Sequence, residues 1–292
     1  MVFGFVNLLS LMAGCSKAKV PQAKEEPASE IVEIDGPTLK KNANTGQSTT
    51  IKDKPEEDAF KKGEKAYKNN DLNSAISNFT KAIELDPMRV AAYNNRGIAY
   101  NDLKKYGEAI VDFNKAIELN SKYLSAYNNR GVSHLKLKMY TKALSDFTKV
   151  IELDPKNFGA YNNRGTVYSR LKKYPEAIAS YTKAIELDPN HVMTYKNRGS
   201  DYKLFGKYPE AIADYTKAIE LDPNDVKSYN IRGFLYAYFL KKYTEALSDF
   251  TKVIELDPKN FEAYNNRGKV YESLGKNKEA EADFAKSDAL MK

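Results

Sequence analysis

The stretch AYNNRGTVYSRLKKYPEAIASYTKAIELDPN, from Ala160 to Asn190, has close copies on both sides of it in a chain of 292 residues. The prolines that close three of these copies, Pro155, Pro189 and Pro223, follow one another at intervals of 34 residues. Between Pro223 and Pro258 the interval is 35, so one copy has an extra residue. A constant period of this length in a chain of helical pattern predicts a stacked solenoid.

Within one period, apolar or small residues recur at helical spacing in two runs. The first run contains Tyr161, Gly165, Tyr168 and Leu171, and the second begins at Ala177. This pattern predicts two amphipathic helices of about 12–15 residues each, separated by a short turn. The Asp-Pro pair at the end of each copy ends the second helix, because proline lacks a backbone donor and disfavours helix in the preceding residue.

Small residues recur where the two helices are expected to meet. Glycines lie in the middle of the predicted first helices, where each costs about 0.5–1 kcal/mol relative to alanine. We expect close contact with the alanines of the second helices to offset this cost, while aromatic side chains fill the space between helices. The glycines are Gly97, Gly131, Gly165, Gly199, Gly233 and Gly268, and the alanines are Ala75, Ala109, Ala143, Ala177, Ala211, Ala246 and Ala280.

The pattern Tyr-x-x-x-Gly-x-x-Tyr, followed by Ala-x-x-x-Phe/Tyr-x-x-Ala and Pro, resembles the tetratricopeptide repeat, with Tyr161 where that motif prefers Trp. The resemblance implies an all-α fold, an α-solenoid of fourteen helices that forms a right-handed superhelix with a concave groove lined by first helices. It implies binding and says little about the ligand. The seven predicted repeats are 56–89, 90–123, 124–157, 158–191, 192–225, 226–260 and 261–292, numbered 1 to 7 below.

The first fifteen residues, MVFGFVNLLSLMAGC, carry no charged side chain. Their apolar run is too short to span a bilayer and has the length of a signal-peptide core. It ends in Leu-Met-Ala-Gly-Cys, which resembles the bacterial lipobox; the resemblance implies cleavage before Cys15 and lipid attachment to it. We therefore predict a lipoprotein-type signal peptide over 1–14, with a plain buried N-terminal segment or an ordinary cleaved signal as alternatives.

Residues 15–55 are predicted to be the lipidated cysteine and a disordered linker, because Pro, Lys, Glu, Ser and Thr dominate there. As a random coil, about 40 residues reach roughly 35 Å. Ser16 after the cysteine resembles outer-membrane sorting, so the predicted location is the bacterial envelope, lipid-anchored at the outer membrane and facing the periplasm. A cytoplasmic location is the alternative.

By the geometry of the resembled family, defined positions around the first tyrosine of each repeat line the groove. Carboxamides dominate these positions, and they would suit the unpaired N–H and C=O groups of an extended peptide. The alternative is that asparagines stack against neighbouring helices. The predicted groove residues are Asn94, Asn95, Asn128, Asn129, Asn162, Asn163, Lys196, Asn197, Asn230, Asn265 and Asn266.

Repeat 6 departs from this polar pattern. Its groove positions include Ile231, Phe234 and Tyr238, and it contains the extra residue near Phe239 and Leu240. Apolar surface on a binding face favours a contact site. Alternatively, these side chains cover one another or the inserted turn.

An arginine follows the second asparagine position in six repeats, and acids recur before the aromatic of the second helices. Pairing between repeats is the simpler interpretation, and an anion-binding ladder is the other. The arginines are Arg96, Arg130, Arg164, Arg198, Arg232 and Arg267, and the acids are Asp112, Asp146, Asp214, Asp249 and Asp283.

Composition argues against several function classes. The chain has 46 basic and 39 acidic residues, so its net charge of +7 is mild and mixed, and nucleic acid is not an expected partner. One cysteine and two histidines, His134 and His191, supply neither an internal disulfide nor a metal site, and His134 is expected to be a packed core residue. We find no catalytic constellation or phosphate loop and predict no enzyme activity and no cofactor.

The sequence thus predicts a scaffold or adaptor that binds a protein or peptide in its groove while tethered to a membrane. One alternative is an envelope lipoprotein that binds a small ligand or anionic polymer and works with a transporter; another is a cytosolic adaptor. Self-association through the C-terminal repeat is a further possibility, since a partner would cover its last layer.

Overall fold

The computed structural model describes residues 54–291, and all regular structure in that range is helical. Seven helix pairs follow one another, which confirms the predicted all-α solenoid of seven repeats. The first helices are Pro55–Lys68 (α1), Val90–Asp102 (α3), Leu124–Lys136 (α5), Phe158–Arg170 (α7), Val192–Leu204 (α9), Val226–Leu235 (α11) and Phe261–Ser273 (α13). The second helices are Leu72–Leu85 (α2), Tyr106–Leu119 (α4), Tyr140–Leu153 (α6), Tyr174–Leu187 (α8), Tyr208–Leu221 (α10), Tyr243–Leu256 (α12) and Asn277–Met291 (α14).

The turn within each repeat is made by one left-handed residue. In repeat 2, Lys104 has φ 59°, and the N–H of Lys105 donates to the carbonyl of Tyr100 at 2.8 Å, closing the end of α3. Glycine takes this position in two repeats, at Gly206 and Gly275. Asn70 takes it in repeat 1, and in the other four repeats lysine bears the steric cost of the left-handed conformation.

The turn between repeats depends on the Asp-Pro pair. Asp154, before Pro155, is extended, with φ −140° and ψ 91°, as expected for a residue that precedes proline. Its carboxylate then accepts a hydrogen bond from the N–H of Lys156 at 3.1 Å. The next first helix starts at Phe158, so the period of 34 residues results from two helices and two short turns.

The central glycines meet the aromatic rings of the second helices, which confirms that these rings fill the space between helices, and the glycine–alanine contact stays a prediction. A Cβ added at Gly97 would lie 2.6 Å from the ring of Phe113, and one added at Gly165 would lie 2.7 Å from the ring of Tyr181. The ring of the second helix therefore occupies the space that the glycine leaves free. The aromatic residue explains why glycine is needed, whereas alanine alone would not require a missing Cβ.

Curvature follows from which helices touch. Successive first helices contact one another from α1 to α9, whereas second helices contact mainly the first helices on either side. The first helices therefore lie on the inner, concave side.

The extra residue of repeat 6 forms a π-helical turn. Tyr236–Leu240 continues α11 as π-helix, and Lys241 adopts the left-handed conformation with φ 57° before α12 begins. The one-residue insertion predicted near Phe239 and Leu240 is thus accommodated inside the helix, where π turns commonly absorb insertions at functional positions.

His134 is a packed core residue, as predicted. Its ring is buried, and Nδ1 lies 2.8 Å from Oδ2 of Asp146. Burial lowers the pKa of His134, although Asp146 opposes the shift.

The predicted signal segment 1–14, Cys15 and the linker residues up to 53 lie outside the described residues. Within the described range, none of the helices combines the length and apolar character needed to cross a membrane.

Candidate functional site: the concave face of the first helices

The predicted asparagine ladder lies on the concave side, and much of it is buried in the floor of the groove. The Nδ2 group of Asn129 donates to Oδ1 of Asn94 at 3.2 Å, and Asn163 donates to Asn128 at 3.4 Å. These bonds connect first helices of successive repeats, as expected if the asparagines stack against neighbouring helices. The buried members of the set are Asn94, Asn95, Asn128, Asn162, Asn163 and Asn197.

Other predicted groove residues remain partly accessible. The half-buried members are Asn129, Lys196, Asn230, Ile231, Phe234, Tyr238, Asn265 and Asn266. Lys196 forms an ion pair with Asp225 at 2.9 Å, which joins α9 to the start of α11. Ligand contact by this accessible set stays a prediction.

Unpaired polar atoms concentrate on three consecutive first helices. Of six buried side-chain atoms without a hydrogen-bond partner in residues 54–291, five belong to the inner helices of repeats 4, 5 and 6. An unpaired buried polar atom costs about 1–3 kcal/mol. These repeats therefore carry most of the unused hydrogen-bonding capacity near the groove. The five atoms are Asn162 Nδ2, Asn163 Oδ1, Asp201 Oδ2, Asn230 Oδ1 and the Tyr238 hydroxyl.

Asp201 is the most unusual of these groups, and sequence reasoning missed it. It is 1% exposed on α9, at a position occupied by Val167 in repeat 4 and Leu235 in repeat 6. The hydroxyl of Ser169 donates to its Oδ1 at 2.7 Å, while Oδ2 has no partner. Burial raises the pKa of the Asp201 carboxyl to about 7, although the bond from Ser169 opposes the shift. The sequence signal was an acid at a repeat position that is Val167, Leu235 and Val270 in repeats 4, 6 and 7.

The apolar positions of repeat 6 form an aromatic cluster around the π turn. The rings of Phe234 and Tyr238 have centroids 4.6 Å apart, and Phe239 stacks on Tyr208 of the preceding repeat at 4.0 Å. Phe234 and Phe239 are 6.0 Å apart, so the four rings are continuous. We call Tyr208, Phe234, Tyr238 and Phe239 the repeat-6 aromatic cluster. Its members cover one another in part, yet Phe239 remains 36% exposed.

Two further apolar side chains are exposed at the turn of repeat 5. Leu204 is 58% exposed and Phe205 is 47% exposed. Phe205 lies 6.5 Å from the ring of Tyr174 of repeat 4. The stack of Phe239 on Tyr208 was not predicted; it repeats, one repeat further along the chain, the contact of Phe205 with Tyr174.

The arginine ladder is structural. Each paired arginine contacts an acid of its own repeat, so the predicted pairing between repeats is wrong about which repeat supplies the acid. Arg96 donates from Nε and Nη2 to the two oxygens of Asp112, at 2.8 and 2.7 Å. Its Nη1 donates to Thr80 of the preceding repeat at 3.0 Å, so the link between repeats is made by a hydroxyl. The other pairs are Arg130–Asp146, Arg198–Asp214, Arg232–Asp249 and Arg267–Asp283.

Repeat 4 has serine in place of this acid. Arg164 donates to the hydroxyl of Ser180 at 3.3 Å and lies over the ring of Tyr161. Its guanidinium therefore lacks the carboxylate that its five counterparts have.

The described residues contain no cluster of three or more His, Cys, Asp or Glu side chains able to hold a metal ion. The concave face instead offers hydrogen-bonding groups, lysines and aromatic rings, which are the elements of a binding surface.

Family models match almost all of residues 63–290. Tetratricopeptide repeat models match 90–123, 125–157, 159–191, 192–225, 214–248 and 261–290, and a TPR repeat model matches 63–103 and 238–275. The chain belongs to the tetratricopeptide repeat family.

Among curated proteins, this tetratricopeptide repeat protein is similar to small glutamine-rich tetratricopeptide repeat-containing protein 2 of Saccharomyces cerevisiae. The two are 33% identical over 94 residues, which is 32% of this chain. The match spans only 25% of the length of that relative.

Solved structures of other tetratricopeptide repeat proteins share the fold. A protein of Cytophaga hutchinsonii gives a TM-score of 0.70 at 22% identity, covering 79% of this chain and 95% of its own. One from Parabacteroides merdae gives 0.60 at 24% identity, covering 81% and 93%. YrrB, described as a TPR protein with an unusual peptide-binding site, gives 0.54 at 26% identity, covering 63% and 95%.

Proposed function

We propose that this protein is a scaffold that binds an extended segment of a partner protein along its concave groove, with the repeat-6 aromatic cluster as its main anchor. The observation that carries this proposal is the cluster itself. Its four rings are continuous, Phe239 is 36% exposed, and the cluster surrounds the π turn, which is the one departure from α-helical geometry among the helices of residues 54–291. Such anchors supply most of the free energy of binding at protein interfaces.

A further observation supports the groove as the binding surface. Unpaired buried polar atoms concentrate on the same first helices. A likeness to YrrB, a protein of the same family with a peptide-binding site, agrees with this function. An extended segment offers the backbone N–H and C=O groups that the accessible carboxamides can pair with.

The test is the affinity of the full chain for a partner fragment identified by crosslinking. The double variant Phe234→Ala with Tyr238→Ala should weaken binding by about tenfold or more, since anchor residues each contribute about 2 kcal/mol or more. The matched control replaces Met88 and Val111, which are exposed apolar side chains outside the cluster, by alanine. Unaltered affinity in the double variant, together with a wild-type melting curve, overturns the proposed anchor.

We further propose that the chain is tethered through a lipid on Cys15, in the bacterial envelope. The support is the sequence alone: the single cysteine follows an apolar run and two small residues. Mass spectrometry of the mature protein should show a chain that begins at Cys15 and carries acyl groups. An intact Met1 with a free thiol contradicts the tether, and Cys15→Ser is the control that should move the protein out of the membrane fraction.

A further inference from the structure

The middle of the concave face is basic. At the first-helix positions that line the groove in this family, residues 124–260 carry five cations and no acid. Of these, Lys136, Arg170 and Lys227 are exposed. Asp225 offsets the charge of Lys196, and Asp201, which lies one position away, is buried with a pKa raised to about 7 by burial. We call Lys136, Arg170, Lys196, Lys203 and Lys227 the basic face.

The basic face ends at apolar surface. Exposed Leu204 and Phe205 directly follow Lys203, and Phe234, Tyr238 and exposed Phe239 follow Lys227 on α11 and its π turn. A ligand that complements both features carries several carboxylates next to a short run of apolar side chains. Charge complementarity of this kind sets specificity and association rate, while the apolar contact supplies affinity.

The chain itself contains such a segment. Residues 25–35, EEPASEIVEID, hold five acids, no basic residue and the β-branched residues Ile31, Val32 and Ile34. We call these residues the acidic segment. Lysines flank it on both sides, so the acids are concentrated rather than mixed along the N-terminal region. The lysines nearest to it are Lys24 and Lys40.

We propose that the acidic segment of this chain docks in its own concave groove, with carboxylates on the basic face and Ile31, Val32 and Ile34 against the repeat-6 aromatic cluster. This inference rests on the proposed function, because it assigns an occupant to the same groove. The segment occupies the groove until a partner displaces it. An external partner therefore binds more weakly to the full chain than to a chain whose groove is empty.

The connection is long enough for this contact. Eighteen residues lie between Asp35 and Lys54, the first described residue, and they span at most about 65 Å when extended. With neighbouring helices 8–10 Å apart, α1 and α11 are separated by roughly 50 Å or less. A short covalent connection gives an effective concentration on the order of millimolar, so even a weak contact is populated.

The experiment uses the full chain carrying Cys15→Ser, so that lipid plays no part, and a labelled synthetic peptide of residues 22–38. In one variant the segment is neutralised by Glu→Gln at 25, 26, 30 and 33 and by Asp35→Asn. Fluorescence polarisation should show the peptide binding at least about tenfold more tightly to the neutralised chain than to the parent, because the parent groove is already occupied. Binding should weaken with added salt.

Two variants locate the contact on the neutralised chain. Lys136→Glu with Lys227→Glu changes exposed charges and should reduce peptide affinity by about tenfold or more, and Phe234→Ala with Tyr238→Ala should do the same. A control peptide with all five acids replaced by amides should not bind. Light scattering checks that parent and neutralised chains are both monomeric, since docking into a second copy contradicts the intramolecular contact.

Failure of this inference is distinguishable from failure of the proposed function. Equal peptide affinity in parent and neutralised chains, or no peptide binding to either, overturns docking of the acidic segment. If the crosslinked partner fragment still depends on Phe234 and Tyr238 in that case, the proposed function stands. If binding of the partner fragment does not depend on Phe234 and Tyr238, while the peptide still binds through the basic face, the proposed anchor is overturned instead.

Discussion

Single side chains decide how closely the two helices of a repeat approach. Gly97 lies against the ring of Phe113, with no room for a Cβ, whereas a Cβ at Gly107 on α4 would meet nothing within 4 Å. Gly97→Ala should therefore destabilise the protein by about 1–3 kcal/mol through overpacking. Gly107→Ala should stabilise it by a few tenths to about 1 kcal/mol, because alanine restricts the unfolded chain. Thermal unfolding checks both, and equal shifts for the two variants contradict the ring contact.

The buried carboxyl of Asp201 makes stability depend on pH in an unusual direction. Its pKa rises from 3.8 to about 7 in the folded chain, so the folded state retains a proton that the unfolded chain loses. Stability therefore falls as pH rises from about 4 to about 7, and then levels off. Asp201→Asn should raise the free energy of unfolding by roughly 2–4 kcal/mol near pH 8, with a gain that fades toward pH 4.

Urea unfolding at the two pH values measures this effect. Asp214→Asn is the matched control, because that carboxylate is paired with Arg198 and its loss should destabilise the protein at pH 8. An Asp201→Asn variant with the same gain at both pH values shows that burial of the charge is not the cause.

Sequence reasoning identified side chains more securely than their partners. The arginine–acid pairs were predicted, but the acid was assigned to a neighbouring repeat, because periodicity cannot say which of two equivalent copies is closer. His134 was placed in the core from its alignment with tyrosines. Asp201 was missed because one acid at an aligned repeat position does not stand out in the sequence. Its significance appears only when the structure shows that the carboxyl is buried.

Among the helices of residues 54–291, only the first helix of repeat 6 changes type. The insertion could be located from the interval of 35 residues between Pro223 and Pro258, but a loop and a π turn fit that count equally well. The π turn keeps the helix continuous through the inserted residue. Phe239 stacks on Tyr208 at the repeat position where Phe205 lies against Tyr174, so the form of the insertion, rather than this contact, is what the residue pattern does not encode.

Deletion of Phe239 tests the role of this insertion. The spacing of repeat 6 returns to that of its neighbours, so α11 should continue as regular α-helix to the turn. Amide hydrogen exchange at positions 236–240 should slow, because i→i−4 hydrogen bonds replace the π pattern. Phe239→Ala is the control, since it removes the ring and keeps the inserted residue. Unchanged exchange in the deletion variant contradicts the assignment of the insertion to the π turn.

In the whole molecule, each repeat contacts its neighbours and curvature places first helices inside. This architecture followed from the sequence, because a constant period and two amphipathic runs leave few alternatives. The groove was harder to predict: several expected ligand-binding asparagines instead connect successive helices. Their exposure depends on how tightly the inner helices pack, which is a property of the assembled solenoid rather than of one repeat.

The most direct test of groove binding is site-specific photo-crosslinking with a reactive side chain at Tyr238, on the concave face, or at Val111, on the outer helix α4. The full chain is irradiated in cells and its adducts are compared. Binding in the groove predicts a partner adduct from position 238 that is absent from position 111 and lost with Phe234→Ala. A partner adduct from position 111 and none from position 238 contradicts it.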